Sequence, residues 1–236
     1  EVRTEELREA NESLQEEVRE RTQMGEQLRT SLQEKEVLIQ EVHHRVKNNM
    51  QIISSMIRLQ FRHIENETLE QLIRDLQQRV HTMSLVHERL YKSPSLSRID
   101  LADFIRELAQ ELLHSYSRPS ESVKLNLALE PVKLSVDYTI PCGLIINELL
   151  TNTLKYAFPA GQQGNIYIRL KTLQGRQVLL SVCDDGPGYP ELSDWSKSTT
   201  TGLRLIHLLS TQLRGEYHAV NDPGACFELK FQEENA

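Results

Sequence analysis

Proline and glycine divide this chain. All eight prolines and nine of the ten glycines lie after residue 93, and before that only Gly25 interrupts. Proline removes a backbone donor and glycine costs about 1 kcal/mol inside a helix. A stretch almost without either is free to run as long helices, and a stretch rich in both must turn often. Residues 1–92 therefore read as long helices and 94–236 as a mixed domain. Between them lies the short linker Lys92-Ser93-Pro94-Ser95-Leu96-Ser97.

The composition narrows the class further. With 39% apolar and 26% charged residues over 236 positions, the chain has enough apolar side chains for a sizeable core and is not wholly disordered. No apolar run approaches the ~18–20 residues of a membrane span, and no basic start followed by an apolar stretch marks a secretion leader. The first residue is a glutamate inside a helical pattern, so the chain reads as a piece of something longer. Cys142, Cys183 and Cys226 lie far apart without a CxxC pair. Neither a zinc site nor a disulfide framework is expected, and a reducing, cytoplasmic setting is. The net charge is −7, and residues 1–41 carry 12 acidic and 6 basic side chains, so most of the excess belongs to the N-terminal segment. No nucleic-acid footprint is expected, because that would need a basic domain.

The first helix carries heptads. Leu7, Leu14, Arg21, Leu28, Lys35 and Val42 fall at d, with Thr4, Asn11, Val18, Gly25, Leu32, Ile39 and Val46 at a. This is a coiled-coil seam with polar interruptions, suited to a dimerisation stalk or a signalling linker. Beyond Val46 the apolar face widens, with Met50, Ile53, Ile57 and Phe61 in one row and Ile52, Met56 and Leu59 in a second. A turn is expected over 64–68, then a helix with Leu69, Leu72, Ile73, Leu76, Val80, Met83, Val86 and Leu90 at helical spacing. Two such hairpins, one from each of two chains, would close an antiparallel four-helix bundle. On this helix His43 falls at e, beside the seam, and His44 at f, facing outward. Taken alone, an outward histidine reads as a solvated face.

The second part carries the stronger chemistry. The stretch from Pro141 to Tyr156 reads as a helix that sets Glu148, Asn152 and Lys155 on one face at i, i+4 and i+7. A carboxylate, an amide oxygen and an ammonium so placed could serve as base, Mg²⁺ ligand and phosphate contact. An apolar strand, Val178 to Cys183, ends at Asp184-Asp185-Gly186-Pro187-Gly188. There Asp184 could accept a hydrogen bond from an exocyclic amine, and glycines would let backbone approach a flat ring. A polar loop over 189–201 leads to Gly202-Leu203-Arg204-Leu205, which opens a helix whose free N–H groups suit phosphate. Neither a P-loop nor a Rossmann fingerprint is present.

Together these segments resemble the histidine kinases of bacterial two-component systems, above all the HisKA_2 subfamily. His44-Arg45-Val46-Lys47-Asn48-Asn49 resembles its H box and Asn147 to Lys155 the N box. Asp184 to Gly188 resembles the first glycine box, Gly202 to Leu205 a shortened second one, and Gly224-Ala225-Cys226-Phe227 the terminal GTxF signal. The resemblance implies three parts: a coiled-coil linker over 1–40, a dimeric helical hairpin over 41–93, and a Bergerat-type α/β-sandwich ATP domain with a mixed sheet over 94–236. It also implies ATP and Mg²⁺ as cofactors, a homodimer, a response-regulator receiver domain as partner and a sensor domain outside this chain.

Carried over by residue, the resemblance makes His44 the phosphoacceptor, Glu148 the base and Asn152 the Mg²⁺ ligand. Lys155 becomes a phosphate contact and Asp184 the adenine reader, with Gly186, Gly188 and Gly202 shaping pocket and lid. By analogy with related kinases, Asn48 would orient water for a reverse dephosphorylation. Arg45 stands where the commonest relatives place an acid, and Ala225 replaces the GTxF threonine, which is expected to take a hydroxyl away from Asp184. The alternatives are a Bergerat-fold ATPase of the gyrase and Hsp90 kind and a degenerate dimeric scaffold.

Overall fold

The computed structural model describes residues 2–61, 66–92, 98–116, 123–158, 162–189, 195–198 and 200–233. The expected linker at 93–97, residues 64 and 65 of the expected turn at 64–68 and part of the loop at 189–201 lie outside the described residues, while Glu67 and Thr68, expected in that turn, already open the next helix. The chain divides into two units, residues 1–43 and 44–236.

The described residues of the first unit are all helical, the leading part of helix α1 (Val2–Gln60). Side-chain pairs four residues apart, Arg8 with Glu12 and Glu17 with Arg21, line its surface; such pairs add a few tenths of a kcal/mol each. Heptad residues Leu14, Val18, Leu28 and Leu32 are all exposed, Leu28 by 64%. The chain alone therefore leaves the seam uncovered.

In the second unit the end of α1 and α2 (Glu67–Lys92) run antiparallel. Asn66 caps α2, its side-chain oxygen accepting the Leu69 amide at 3.1 Å. Lys47 bridges to Glu88 at 2.8 Å, and Gln77 donates to the Ser54 carbonyl at 3.4 Å. The half-buried row of α1 is Val46, Met50, Ser54 and Ile57. Ile52, Ile53, Met56 and Leu59 stay exposed, as do Leu72 and Leu76 of α2. One hairpin covers a narrower stripe than the sequence offers.

Next come β1 (Ile99–Asp100), α3 (Leu101–Tyr116), β2 (Val123–Leu129), β3 (Lys133–Leu134) and α4 (Val136–Asn152). They are followed by β4 (Gly164–Thr172), β5 (Gln177–Asp184), α5 (Thr201–Gln212), β6 (Glu216–Asn221) and β7 (Ala225–Gln232). The main sheet runs β2-β4-β5-β7-β6; β2 pairs with β4 in parallel and the other pairs are antiparallel, giving the mixed sheet expected. Alternate residues point to the helices: Ile166, Ile168 and Leu170 from β4, Val178, Leu180 and Val182 from β5, Phe227, Leu229 and Phe231 from β7. Helix α4 lies in the middle of this core, in contact with α2, α3, α5 and β5, and every residue from Pro141 to Thr151 is buried. A mostly apolar helix belongs in such a place, provided its few polar side chains find partners.

Two expectations are corrected. The helix read from Pro141 begins five residues earlier, because Tyr138 and Thr139 amides already bond back to the Ser135 carbonyl. Its last turn, Thr153–Ala157, widens into a π-helix. The three cysteines also do not stay apart. Cys183 and Cys226 are register partners on β5 and β7 and form a disulfide, leaving Cys142 as a buried free thiol. Sequence separation hid this pairing, which antiparallel register creates.

Gly143 sits where α3 and α2 close on α4. A Cβ there would lie 2.6 Å from Phe104 Cε1 and 3.4 Å from Thr82 Cγ2. Gly143→Ala should therefore destabilise the domain by about 1–3 kcal/mol despite the better helix propensity of alanine. A urea midpoint equal to or above that of the parent would show the helices can part at no cost.

Candidate functional site

Three elements converge at one end of α4. The last turns of α4 supply Glu148, Asn152 and Lys155, the end of β5 supplies Asp184, and the start of α5 supplies Gly202. Glu148 is 7% exposed and Asp184 5%, so each buried carboxylate needs partners of its own.

Asp184 has three. Its Oδ1 accepts the amides of Gly186 at 3.0 Å and Ala225 at 3.1 Å, and its Oδ2 accepts the Thr153 hydroxyl at 2.9 Å. The alanine at 225 thus does not leave Asp184 without a hydroxyl: the π-turn of α4 brings Thr153 into reach, and the residue-225 contact is made by backbone. Asp184 is thereby held at the mouth of the strand, fixed in direction.

The glycine-box turn folds back on β6. Gly188 has φ +83°, and the Asn221 side chain brackets the next residue, accepting the Tyr189 amide at 2.8 Å and donating to its carbonyl at 3.0 Å. Burial, then the nearby Asp184 charge, pushes the Tyr189 phenol well above its usual range. The loop expected to be polar carries a buried anchor. Trp195 stacks on Tyr217 and Phe227 at 5.6 and 5.7 Å between centroids and meets Tyr189 edge-on at 5.3 Å. Thr200 spends its amide on the Ser198 hydroxyl at 3.2 Å, so that N–H of the α5 entry already has a partner.

Gly202 brings α5 onto the N-box helix. A Cβ at 202 would stand 2.8 Å from Glu148 Oε2, so a side chain there would push into Glu148, while Asn152 Nδ2 at 3.8 Å is in ordinary contact. Among the described residues no group of three or more His, Cys, Asp or Glu side chains could hold a metal. A cation here would take the Asn152 amide oxygen together with phosphate oxygens and water, a donor set that fits Mg²⁺.

Glu148 and Lys155 point the same way, as their spacing predicts, and both meet α2. Arg79 Nε and Nη2 each lie 2.8 Å from a Glu148 oxygen, and Lys155 Nζ lies 2.5 Å from Asp75 Oδ1. Hydrogen bonding to Glu148 is the largest cause that raises the Arg79 pKa, against burial, with the Glu148 and Asp75 charges adding to it. Arg79, Asp75, Thr153, Asn221 and Trp195 escaped the sequence reading. Asp75 and Arg79, four apart on a polar face, look like any solvated pair.

His44 is exposed, as its heptad phase predicts, and its Nδ1 lies 3.4 Å from the Asn48 amide. The His43 side chain lies outside the described residues. The structure does not bring His44 together with Glu148, Asn152 or Asp184.

Comparison with known proteins identifies the family. A family model described as histidine kinase matches residues 41–116, and one described as histidine kinase-, DNA gyrase B- and HSP90-like ATPase matches 139–235. Blue-light-activated histidine kinase 2 of Erythrobacter litoralis is 29% identical over 180 residues, covering 75% of this chain and 51% of that protein. Sensor histidine kinase PdtaS of Mycobacterium tuberculosis is 30% identical over 183 residues, covering 77% and 36%. The histidine kinase domain of the Erythrobacter litoralis blue-light-activated kinase EL346 superposes with TM-score 0.62 at 27% identity, covering 82% of this chain and 92% of that one. The chain belongs to the histidine kinase family, with a HisKA_2 segment followed by an ATP-binding domain of the gyrase and Hsp90 type. It spans about half the length of the first of these relatives and about a third of the second. No helix among the described residues is long and apolar enough to cross a membrane.

Thr153→Val should weaken binding of a fluorescent ATP analogue and cost about 1–3 kcal/mol, because Asp184 Oδ2 loses its donor in a buried place; Thr153→Ser should be close to the parent in both. Equal behaviour of the valine and serine variants would show that the hydroxyl contributes nothing.

Proposed function

We propose that this chain is the catalytic core of an ATP-dependent protein-histidine kinase, which transfers the γ-phosphoryl group of ATP to His44 and from there to an aspartate of a response-regulator receiver domain. One observation carries the reading: an exposed histidine stands on a helical hairpin whose second helix seats directly on the helix bearing Glu148, Asn152 and Lys155. An ATPase that only changes shape needs no such histidine. In this reading residues 1–40 are a signalling linker, 41–93 the dimerisation and phosphotransfer hairpin and 94–236 the ATP domain. A sensor segment lies elsewhere in the protein, and the core works in the cytoplasm.

Asp184 takes the adenine amine, with Gly186 and Gly188 leaving room for the ring, and Lys155 and the α5 entry at Gly202 take phosphate. Mg²⁺ at Asn152 would offset phosphate charge. At His44 the neutral imidazole attacks through Nε2 while Nδ1 keeps its proton. The Asn48 amide beside Nδ1 presents its oxygen to that proton when turned about its own axis, since its oxygen and nitrogen ends are alike in shape. The new Nε2–P bond forms as the bond from the γ-phosphorus to its bridging oxygen breaks, and ADP leaves. The ring becomes cationic, and the Glu148 carboxylate takes the Nδ1 proton. Arg45 cannot do so, since a guanidinium offers only donors and no acceptor.

Autophosphorylation should give a label stable to base and lost in acid, absent in His44→Gln and present in His43→Gln. Glu148→Gln should slow it by about 10²–10⁴-fold with nucleotide affinity nearly unchanged, the usual worth of general-base catalysis. An unchanged single-turnover rate with weaker nucleotide binding would make Glu148 a binding residue instead.

The exposed apolar residues of the hairpin and the uncovered heptad seam each fit a second copy, the hairpin closing a four-helix bundle and the seam a coiled coil. Light scattering at micromolar concentration should give twice the chain mass of 27.3 kDa; a single-chain mass would refute the dimer.

A further inference from the structure

Helix α2 grips α4 by the side chains that the proposed reaction needs free. Both oxygens of Glu148 are engaged by Arg79, and the ammonium of Lys155 by Asp75. These groups are largely shielded: the side chains of Arg79 and Glu148 are 17% and 9% exposed, those of Lys155 and Asp75 14% and 28%. A third contact joins the same faces, the buried Thr82 hydroxyl donating to Asn147 Oδ1 at 3.2 Å. Residues 75, 79 and 82 lie on one stripe of α2, spaced i, i+4 and i+7. As they advance along α2, their partners 155, 148 and 147 run back along α4. The signs alternate, so sliding α4 by one turn would bring Asp75 against Glu148, like charge against like.

The grip sits far from His44. Lys47 and Glu88, paired at 2.8 Å, mark one level of the hairpin. Arg79 precedes Glu88 by nine residues on α2, and His44 precedes Lys47 by three on the antiparallel α1. At 1.5 Å per residue, Glu148 is therefore held about 18 Å along the hairpin from His44, or about 12 Å when the Gln77–Ser54 contact marks the level. In a two-fold dimer of parallel chains the partner's acceptor stands at the same height, so neither copy's histidine meets the clamped carboxylate.

We propose that Arg79 and Asp75 are positioning residues that park the ATP helix on α2, using Glu148 and Lys155 themselves as the handles. The partners are mutually exclusive. A Glu148 carboxylate bound through both oxygens to Arg79 does not accept the proton of His44, and a Lys155 ammonium on Asp75 does not hold phosphate. Transfer requires the domain to release both pairs together and move toward His44, so a shift of the hairpin that parts α2 from α4 switches the enzyme on. This inference rests on the kinase reading above.

The test uses the whole chain. Arg79→Gln combined with Asp75→Asn keeps side-chain size and removes both charges. It should raise the initial autophosphorylation rate about tenfold or more by shifting the population from parked to free, and should lower KM for ATP as Lys155 is freed. Arg79→Lys should fall between. A purely structural role would lower rate and melting temperature together, and that result, or an unchanged rate with intact nucleotide binding, overturns the proposal. The opposite manipulation locks the grip: Thr82→Cys with Asn147→Cys, oxidised to a crosslink. The locked protein should lose label at least tenfold, still bind a fluorescent ATP analogue, and regain label with dithiothreitol. The parent chain treated alike controls for Cys183 and Cys226. Full labelling while crosslinked overturns the proposal. A parent chain that takes up no base-stable label refutes the kinase reading and this inference with it, whereas a labelled parent indifferent to both manipulations refutes the grip alone.

Discussion

Over Pro141–Thr151 helix α4 is buried on every side, so its charged and amide side chains there must find their partners inside the protein. Its apolar residues hold α3, α5 and the sheet together, and its few polar ones set where everything else can sit. Glu148 finds Arg79, Asn147 finds Thr82, and Thr153 at the π-turn finds Asp184. Removing any one partner would leave a polar group stranded, which costs far more than the net worth of the contact.

The site follows from these answers. Asp184 is aimed because two backbone amides and a hydroxyl bind both its oxygens, and the strand end cannot swing without losing all three. The α5 entry lies close to Glu148 because residue 202 has no side chain. The widened last turn of α4 is a rare local geometry that recurs at functional positions, and here it delivers Thr153 to the strand while leaving Lys155 directed at α2.

The helical part is constrained differently. Its apolar side chains outnumber what one hairpin can cover, and along its long N-terminal stretch local pairs such as Arg8 with Glu12 and Glu17 with Arg21 run along a single helix. Such a segment is stable where a second helix lies against it, because isolated helices in water gain little from propensity alone. The dependence on a partner copy is thus built into the pattern of leucines and isoleucines.

Much of this was legible in the sequence, because it is local. The distribution of proline and glycine separated helices from turns; the heptads set His44 outward; the spacing of Glu148, Asn152 and Lys155 put them on one face; and Asp184 stood at the end of an apolar strand. Periodicity of this kind is written in neighbouring residues and survives in any fold that contains the element. What only the tertiary structure decided is who meets whom across the chain. Cys183 met Cys226 through strand register, the hydroxyl beside Asp184 came from Thr153 and not from position 225, and Arg79 and Asp75 proved to be partners of the ATP helix. No local pattern encodes such pairings, because a charge that will be buried against a distant helix has the same neighbours in sequence as one that faces water.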